Sequence, residues 1–173
     1  MSVLETERLR LRPFRDDDLD VVARWLADPE FTRYLAGPQP RAEAEAILAR
    51  AHAHWREHGF GPFAVEDRAT GELIGRSGPA YHRAWPHDPE VGWWIAPERQ
   101  GRGLATEAGS ASVRHTFDDL GFARVVSITI EPNLASRRVM EKLGFRLLER
   151  IPTEWGELWV HALDAPEKDA RGT

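Results

Sequence analysis

The stretch EVGWWIAPERQGRGLATEA, residues 90–108, lies just past the midpoint of the chain. Its first seven residues are mostly apolar and predict a buried strand that stops before Pro97. Gly101 and Gly103 then flank an arginine, and helix-forming residues follow at once. Glycine adopts backbone angles that other residues resist, and it lets a ligand approach the main chain closely. This order of strand, glycine turn and helix start is typical of a phosphate site, because the first N–H groups of the helix face one point.

The turn by itself fits a pyrophosphate site and a plain strand-to-helix connection equally well. A nucleotide P-loop is excluded, because it needs a Lys-Ser/Thr pair after its second glycine and GRGLATEA has none. A dinucleotide fold is a closer rival, since GRGLAT begins like G-x-G-x-x-G and Glu131 ends the next predicted strand. Thr106 at the sixth position and the 42 residues left after Glu131 count against it. Coenzyme A is the third candidate.

Composition limits the class of protein. The 173 residues predict one domain with a sizeable core, and the 42% hydrophobic and 29% charged residues are ordinary for a globular protein. A net charge of -5 argues against a nucleic-acid-binding protein. The absence of cysteine excludes disulfides and a cysteine nucleophile. Without a signal-like leader or a long apolar run, we expect a cytoplasmic protein that does not bind membranes.

Hydrophobic periodicity predicts alternating helices and strands. The four predicted helices span 16–28, 40–59, 103–121 and 133–144, and the seven predicted strands lie in 8–14, a hairpin at 61–83, 90–96, 123–131, 145–153 and 155–164. Helices alternate with strands, but hairpins occur on both sides. The pattern therefore predicts an α/β fold with a mixed sheet flanked by helices, forming a domain over 1–164 with a polar, flexible tail over 165–173.

Four blocks in the right order resemble the GNAT acetyltransferase superfamily. QGRGLA (residues 100–105) fits the acyl-coenzyme-A signature Q/R-x-x-G-x-G/A, and NLASRRVMEKLGF (133–145) is similar to the second coenzyme-A segment. LETERLRLRPF (4–14) and the hairpin that begins HGFGPF (58–63) resemble the branch of ribosomal-protein N-terminal acetyltransferases. The likeness covers about residues 3–163. It implies a single-domain GNAT-like fold with a splayed sheet, in which acetyl-coenzyme A enters the gap between the strands at 90–96 and 123–130.

The resemblance also implies which residues bind the cofactor. The turn and the first residues of the helix would hold the pyrophosphate: Gln100, Gly101, Arg102, Gly103, Leu104, Ala105 and Thr106. Asn133 would contact pantetheine, and an N-cap role for Asn133 is equally compatible with the sequence. The main chain of Trp94 and Ile95, left unpaired by the splayed strand, would contact the thioester oxygen.

An amine attacks a thioester only as the free base, so a general base is needed. Glu90, at the head of the strand that leads into the glycine turn, is the candidate, and related enzymes often have a glutamate near this strand. A solvated strand-end glutamate is the alternative, and His87 and Asp88 lie within reach of the same role. Many family members protonate the leaving thiolate with a tyrosine in the last helix, but the tyrosines here are Tyr34 and Tyr81.

In the ribosomal branch a serine at the position of Ser136 is a candidate acid. A hydroxyl is a poor acid, and a thiol of pKa about 8.5 leaves without much help, so Ser136 is expected at least to hydrogen-bond the sulfur or the pantetheine. Trp85 and the segment EFTRYLAGPQP (30–40) are expected to line the acceptor cleft.

We therefore expect an N-acetyltransferase that transfers acetyl from acetyl-CoA to a primary amine, on a protein N-terminus or a small molecule, by direct attack in a ternary complex. No metal is expected, and the protein is expected to be a monomer or a homodimer. The alternative from another class is a non-catalytic acyl-CoA-binding or interaction protein with the same fold. The identity of the amine cannot be read from these residues.

Overall fold

The computed structural model describes residues 2–154 and 156–167. Eight strands form one sheet: β1 (Leu4–Glu5), β2 (Leu9–Pro13), β3 (Phe63–Asp67), β4 (Leu73–His82), β5 (Trp85–Ile95), β6 (Arg124–Ile130), β7 (Arg146–Thr153) and β8 (Gly156–Asp164). Four α-helices cover it: α1 (Leu19–Ala27), α2 (Arg41–His58), α3 (Leu104–Arg114) and α4 (Leu134–Leu143). The predicted α/β class is confirmed, with one strand more than expected, the two-residue β1.

The sheet runs in the order β1-β2-β3-β4-β5-β6-β8-β7. All neighbouring strands are antiparallel except β5 and β6, which are parallel and joined at a single residue pair, Glu90 with Val126. Beyond that pair the two strands separate. The predicted gap between two central parallel strands is therefore present, and it divides the sheet into a five-stranded and a three-stranded part.

Local chemistry sets most helix ends where the sequence predicts them. Pro40 precedes α2, and Gly59 ends it in the left-handed conformation at φ 76°. Asn133 caps α4 by accepting a hydrogen bond from the Ser136 N–H at 3.1 Å, and Gly144 ends it at φ 90°. The expected capping role of Asn133 is confirmed.

Two predicted helices are shorter than expected. The predicted 103–121 helix becomes α3 followed by a π-helical turn, His115–Asp119, in which the Leu120 N–H reaches back to the His115 carbonyl. The Thr116 hydroxyl donates to the Ser112 carbonyl at 2.8 Å, and such bonds compete with the regular helical ladder. The predicted 16–28 helix opens with a 3-10 turn, Asp16–Asp18, before α1 begins.

Apolar side chains fill both faces of the five-stranded part. On one face α3 packs on the sheet through residues that include Leu11, Phe63, Ile74 and Leu104. On the other face α1 and α2 bury Trp25, Leu48 and their neighbours. A third cluster, centred on Val91, Val125 and Met140, joins α3 and α4 to β5 and β6. The gap between β5 and β6 thus lies within a packed frame.

A buried ion network joins three elements at the N-terminal side. Arg12 on β2 donates from Nη1 and Nη2 to the two oxygens of Asp18, at 2.7 and 2.8 Å, and from Nε to Glu66 on β3 at 2.5 Å. The Asp18 carboxylate also accepts the Arg15 N–H at 2.7 Å. Burial opposes the charge of Arg12, but the two carboxylates outweigh burial and raise its pKa.

Within the described residues, no helix combines the length and the hydropathy that crossing a membrane requires. The cytoplasmic location stays a prediction.

The expected tail begins at the residue that follows β8, and Ala165 packs on the third cluster. Residues 168–173 of that tail lie outside the described part of the chain, and the domain boundary stays a prediction.

Candidate active site

The open edge of β5 faces the gap in a defined pattern. Pairs in an antiparallel ladder alternate between hydrogen-bonded and non-hydrogen-bonded. The Ala96 N–H donates to the Ile74 carbonyl of β4 at 2.9 Å, so Trp94, two residues earlier, also directs its N–H toward β4. The N–H of Ile95 therefore faces the gap. Gln100 supports this assignment, because its side-chain amide reaches the Ile95 carbonyl from the open side at 2.8 Å.

The glycine turn has the conformation that the sequence predicts. Gly101 and Gly103 have φ values of 72° and 77°, in the left-handed region that favours glycine. Gly103 is the N-cap of α3, and its carbonyl accepts the Glu107 N–H at 3.0 Å. The N–H groups of residues 101–106 have no acceptor in the part of the chain that the structure describes. Six backbone donors at a helix N-terminus are thus free for an anion.

The turn is fastened to the start of the chain. The Glu107 carboxylate accepts hydrogen bonds from the Thr6 hydroxyl at 2.6 Å, from the Arg8 N–H at 2.9 Å and from Arg8 Nε at 2.7 Å. Arg8 Nη1 also donates to the Arg102 carbonyl at 2.9 Å. Partial burial opposes ionisation of Glu107, but these hydrogen bonds and the charge of Arg8 outweigh it and lower the pKa of the carboxyl. We call Thr6, Arg8 and Glu107 the clamp.

The predicted cofactor residues of the turn have different surroundings. The side chain of Gln100 is already engaged with the strand end, whereas the exposed Arg102 side chain has no polar partner in the described residues. Leu104 is buried in the core, and Ala105 and Thr106 are half-buried. The backbone of this segment, more than its side chains, therefore faces the open space.

Asn133 and Ser136 lie one turn apart at the start of α4. The Asn133 Oδ1 is used for the cap, which leaves its NH₂ group free within the described chain. Ser136 is half-buried, and its hydroxyl has no hydrogen-bond partner among the described residues. Both groups are available to a ligand.

Glu90 lies at the head of the gap, at the one residue pair that joins β5 to β6. Burial raises the pKa of its carboxyl, although the charges of His82 and Arg76 and the Ile128 N–H of β6 act in the opposite direction. A carboxyl with a raised pKa is a better proton acceptor near neutral pH. Desolvation with charged neighbours in a cleft is typical of functional carboxylates.

The two alternative bases that the sequence suggested, His87 and Asp88, both contact Trp85. His87 packs edge-on against Trp85, with ring centroids 5.6 Å apart, and Asp88 accepts the Trp85 Nε1–H at 3.1 Å. These three side chains therefore interact with one another. His82, which the sequence analysis missed, is the histidine whose charge acts on Glu90.

Aromatic side chains join the α1–α2 connection to β5, the strand that carries Glu90. Trp94 contacts Phe31 edge-to-face at 5.8 Å, and Phe31 stacks on Trp25 at 5.8 Å. Phe31 belongs to the α1–α2 connection, so this segment lies against the strand that carries Glu90, on the side expected for the acceptor wall. Arg76 on β4, opposite Trp94 in the ladder, completes this face and was also missed from the sequence. The register of the hairpin, which places Arg76 there, was the signal that could have found it.

Known proteins share this fold. The family profile of the acetyltransferase (GNAT) domain matches residues 8–146. The uncharacterized N-acetyltransferase YoaA of Bacillus subtilis strain 168 is 33% identical over 148 residues, which cover 83% of this chain and 82% of that protein. An acetyltransferase structure from Agrobacterium tumefaciens strain C58 superposes with a TM-score of 0.86 at 28% identity, covering 95% of both chains.

The ribosomal-protein branch has the same fold. RimL, a ribosomal L7/L12 α-N-protein acetyltransferase solved with coenzyme A, gives a TM-score of 0.78 at 15% identity, with 94% of this chain and 98% of that chain covered. The chain belongs to the GNAT acetyltransferase family. As a member, it is an acetyl-coenzyme-A-dependent N-acetyltransferase, as the resemblance in the sequence implied.

Proposed function

We propose that the protein transfers the acetyl group of acetyl-CoA directly to a primary amine held in the same complex. The observation that carries this proposal is the position of Glu90. Its desolvated carboxyl lies at the head of the gap, on the strand whose unpaired Ile95 N–H faces that gap and whose end leads into the glycine turn. A base, an oxyanion donor and a phosphate-binding turn thus follow one another along a single segment.

Acetyl-CoA fits the groups that the site leaves free. The backbone donors of 101–106, with the helix dipole behind them, would hold the pyrophosphate. The Asn133 NH₂ group would bind pantetheine within the gap. The Ile95 N–H would hydrogen-bond the thioester oxygen. The sequence also assigned the Trp94 main chain to the thioester oxygen. Because the Trp94 N–H is directed toward β4, we assign that contact to Ile95 alone, and the Trp94 side chain contacts Phe31.

These residues account for the bonds and protons that change in acetyl transfer. The amine nitrogen attacks the thioester carbon, and Glu90 accepts the amine proton, either directly or through a water molecule. Negative charge develops on the thioester oxygen and is stabilised by the Ile95 N–H. The C–S bond then breaks and releases coenzyme A as its thiolate. The Ser136 hydroxyl would hydrogen-bond that thiolate, which takes its proton from solvent.

RimL binds coenzyme A on the same fold, which supports this placement of the cofactor. Its acceptor is a protein N-terminus, and an α-amino group, of pKa near 8, loses its proton more easily than a lysine. We propose an acceptor amine of this class, on a protein or a small molecule. A cytoplasmic location and a monomeric or homodimeric state accompany the proposal.

The test combines coenzyme A binding with turnover. Calorimetry would measure acetyl-CoA binding, and thiol release would be followed with a panel of peptides, amino acids and polyamines. We expect binding and release of one thiol per acetylated amine, the product being identified by mass spectrometry. Binding without turnover on any amine would overturn the proposal in favour of a non-catalytic acyl-CoA-binding protein.

A further inference from the structure

Arg76 is an arginine whose guanidinium contacts an aromatic ring but no acceptor among the described residues. It lies on β4, half-buried, and it forms no hydrogen bond or ion pair with the residues that the structure describes. Buried Arg12 shows the usual arrangement, since its guanidinium contacts two carboxylates and a carbonyl. Burying a guanidinium costs free energy unless its donors are satisfied. An anion that binds at Arg76 would supply the missing acceptor.

The hydrogen-bond donors of Arg76 are not used by any described residue. Its guanidinium lies over the Trp94 ring, with Cζ 4.9 Å from the ring centroid. Stacking uses the flat face of the group, whereas the N–H donors lie in its plane. Phe31 packs edge-to-face on the Trp94 ring. A planar fork held in this way is suited to a carboxylate, which it can bind through two parallel hydrogen bonds.

The side chains of Arg76 and Glu90 both approach β5 at Gly92. A Cβ at Gly92, the residue between their ladder positions on β5, would lie 3.6 Å from Glu90 Oε1 and 3.8 Å from Arg76 Nη1. The two groups nevertheless form no ion pair with each other among the described contacts. A small molecule bound beside Gly92 would therefore lie near both groups.

We propose that the acceptor is a free α-amino acid, whose carboxylate binds Arg76 while its amine faces Glu90. This inference rests on the proposed function, because it needs Glu90 beside the reacting amine. An α-amino acid carries its amine and carboxylate on one carbon, which matches two opposite charges that both lie near Gly92. A residue at a protein N-terminus has no free α-carboxylate, and Arg76 would stay unpaired beside it.

The test compares each of the twenty amino acids with its own carboxamide as the acceptor. The carboxamide lacks the negative charge and has a less basic amine, so a larger share of it is the reactive free base. We expect a kcat/KM at least about tenfold higher for the carboxylate of the preferred amino acid, the scale of one charged hydrogen bond. Equal use of the two forms, or turnover of amines but of no free amino acid, overturns the inference.

Variants of Arg76 separate binding from electrostatic tuning of Glu90. We expect Arg76→Met to raise the KM for the amino acid at least about tenfold, with the KM for acetyl-CoA and for the carboxamide nearly unchanged, and Arg76→Lys to fall between. A shift of the pH–rate profile that is equal for both acceptors would show tuning alone and overturn the inference. Arg50→Met is the control, because Arg50 pairs with Glu43 on α2 and adds positive charge near Arg76.

Two further measurements keep the inference separate from the proposed function. The peptides Asp-Ala-Ala-amide and Asn-Ala-Ala-amide test an acidic side chain as the anion, and use of the first with no use of free amino acids overturns the inference. If no amine is acetylated, the proposed function fails. The inference is then tested by calorimetry of amino acids on the protein saturated with coenzyme A. Binding that Arg76→Met abolishes would support the inference, and the absence of binding would overturn it.

Discussion

Burial raises the pKa of the Glu90 carboxyl, and it outweighs the opposing effects of His82, Arg76 and the Ile128 N–H of β6. Only the ionised carboxyl can accept the amine proton. The rate should therefore fall as pH drops through this raised pKa, which lies above the usual glutamate value of about 4.3. The acidic limb of the pH–rate profile thus reports on Glu90.

Replacing Glu90 with glutamine removes the base and keeps the shape of the side chain. We expect Glu90→Gln to lower kcat about 100-fold or more and to abolish the acidic limb, with acetyl-CoA affinity unchanged. Steady-state kinetics across pH and calorimetry check this. Glu131→Gln, at an exposed position after β6, is the matched control. A wild-type profile in Glu90→Gln would move the role elsewhere, with His82 the next residue to test.

The Ser136 hydroxyl has no hydrogen-bond partner among the described residues. A hydrogen bond from it to the developing thiolate would strengthen only as charge forms, so it stabilises the transition state more than bound acetyl-CoA. We expect Ser136→Ala to cost about 1–3 kcal/mol in the chemical step, roughly a ten- to hundredfold loss in rate. Ser136→Thr, which keeps a hydroxyl, should retain more of the rate.

The measurement for Ser136 is the pre-steady-state rate of acetyl transfer, because product release can hide the effect in turnover. Acetyl-CoA affinity should be the same in all three proteins. An alanine variant whose chemical step matches wild type would leave Ser136 as a residue of α4 without a part in the reaction.

At the scale of elements, the N-terminus of α3 is the expected anion site. A branched side chain at Gly103 would block the approach to the backbone donors, so we expect Gly103→Val to weaken coenzyme A binding at least about tenfold. Valine at a φ of 77° also strains the backbone. Gly121→Val is the matched control, since Gly121 has a φ of 76° and a Cβ there meets nothing within 4 Å.

Calorimetry on both valine variants, each first checked by circular dichroism, separates strain from binding. Equal affinity for coenzyme A in folded Gly103→Val and Gly121→Val would contradict the phosphate site. The two positions have nearly the same φ, whereas a Cβ at Gly103 lies near the proposed anion site and 3.6 Å from Arg8 Nη2.

The network of Arg12, Asp18 and Glu66 ties β2 and β3 to the turn before α1. Arg12→Met leaves two buried carboxylates without their cation, and we expect a loss of about 3–5 kcal/mol in unfolding free energy. Arg15→Met should cost less than about 1 kcal/mol, because the Arg15 side chain is 55% exposed and lies 3.9 Å from Glu66. Chemical denaturation measures both variants, and equal losses would contradict the assigned role of the network.

Elements that depend on nearby residues could be predicted from the sequence. Pro40 and Gly59 bound α2, and Asn133 and Gly144 bound α4, because caps and turns act within a few residues. The clamp could not be predicted, since Arg8 and Glu107 are 99 residues apart. Arg76 was missed for the same reason, although its strand was predicted, because only the ladder register shows that it lies opposite Trp94.

For the whole molecule, the buried imidazole of His54 should make the folded state less stable as pH falls. His54 on α2 donates from Nδ1 to the Phe60 carbonyl at 2.8 Å and accepts the Tyr81 N–H at Nε2 at 3.0 Å, so it is held neutral. Burial, the largest cause, lowers its pKa in the folded state. The unfolded chain then binds a proton first as pH falls below about 6.5, and the folded state loses stability.

We expect the unfolding free energy to fall with pH from about 6.5 downward, by at most about 1.4 kcal/mol per pH unit for this one proton. His54→Gln can keep a donor and an acceptor without titrating, and it should flatten that slope. Denaturant titrations at several pH values, with pH 8 as the reference for any loss of packing, make the comparison. An unchanged slope in the variant would assign the acid sensitivity to other groups.

The mixed sheet and its family could be predicted at this scale, because four sequence blocks appear in the right order along the chain. The expectation that segment 30–40 lines the acceptor cleft followed only from position and stays a prediction, and Phe31 of that segment contacts Trp94. Which N–H faces the gap depended on the alternation of one ladder. A strand assignment alone does not contain that information.

The single residue pair between β5 and β6 has a consequence for protein engineering. Every hydrogen bond that would close the gap is a route to higher thermostability, and each would fill the place proposed for the cofactor. A directed-evolution campaign scored only on heat resistance is therefore expected to select variants with a regular sheet and no catalysis. Screening with acetyl-CoA present is expected to select the opposite variants, because the bound ligand stabilises proteins in which the two strands stay apart.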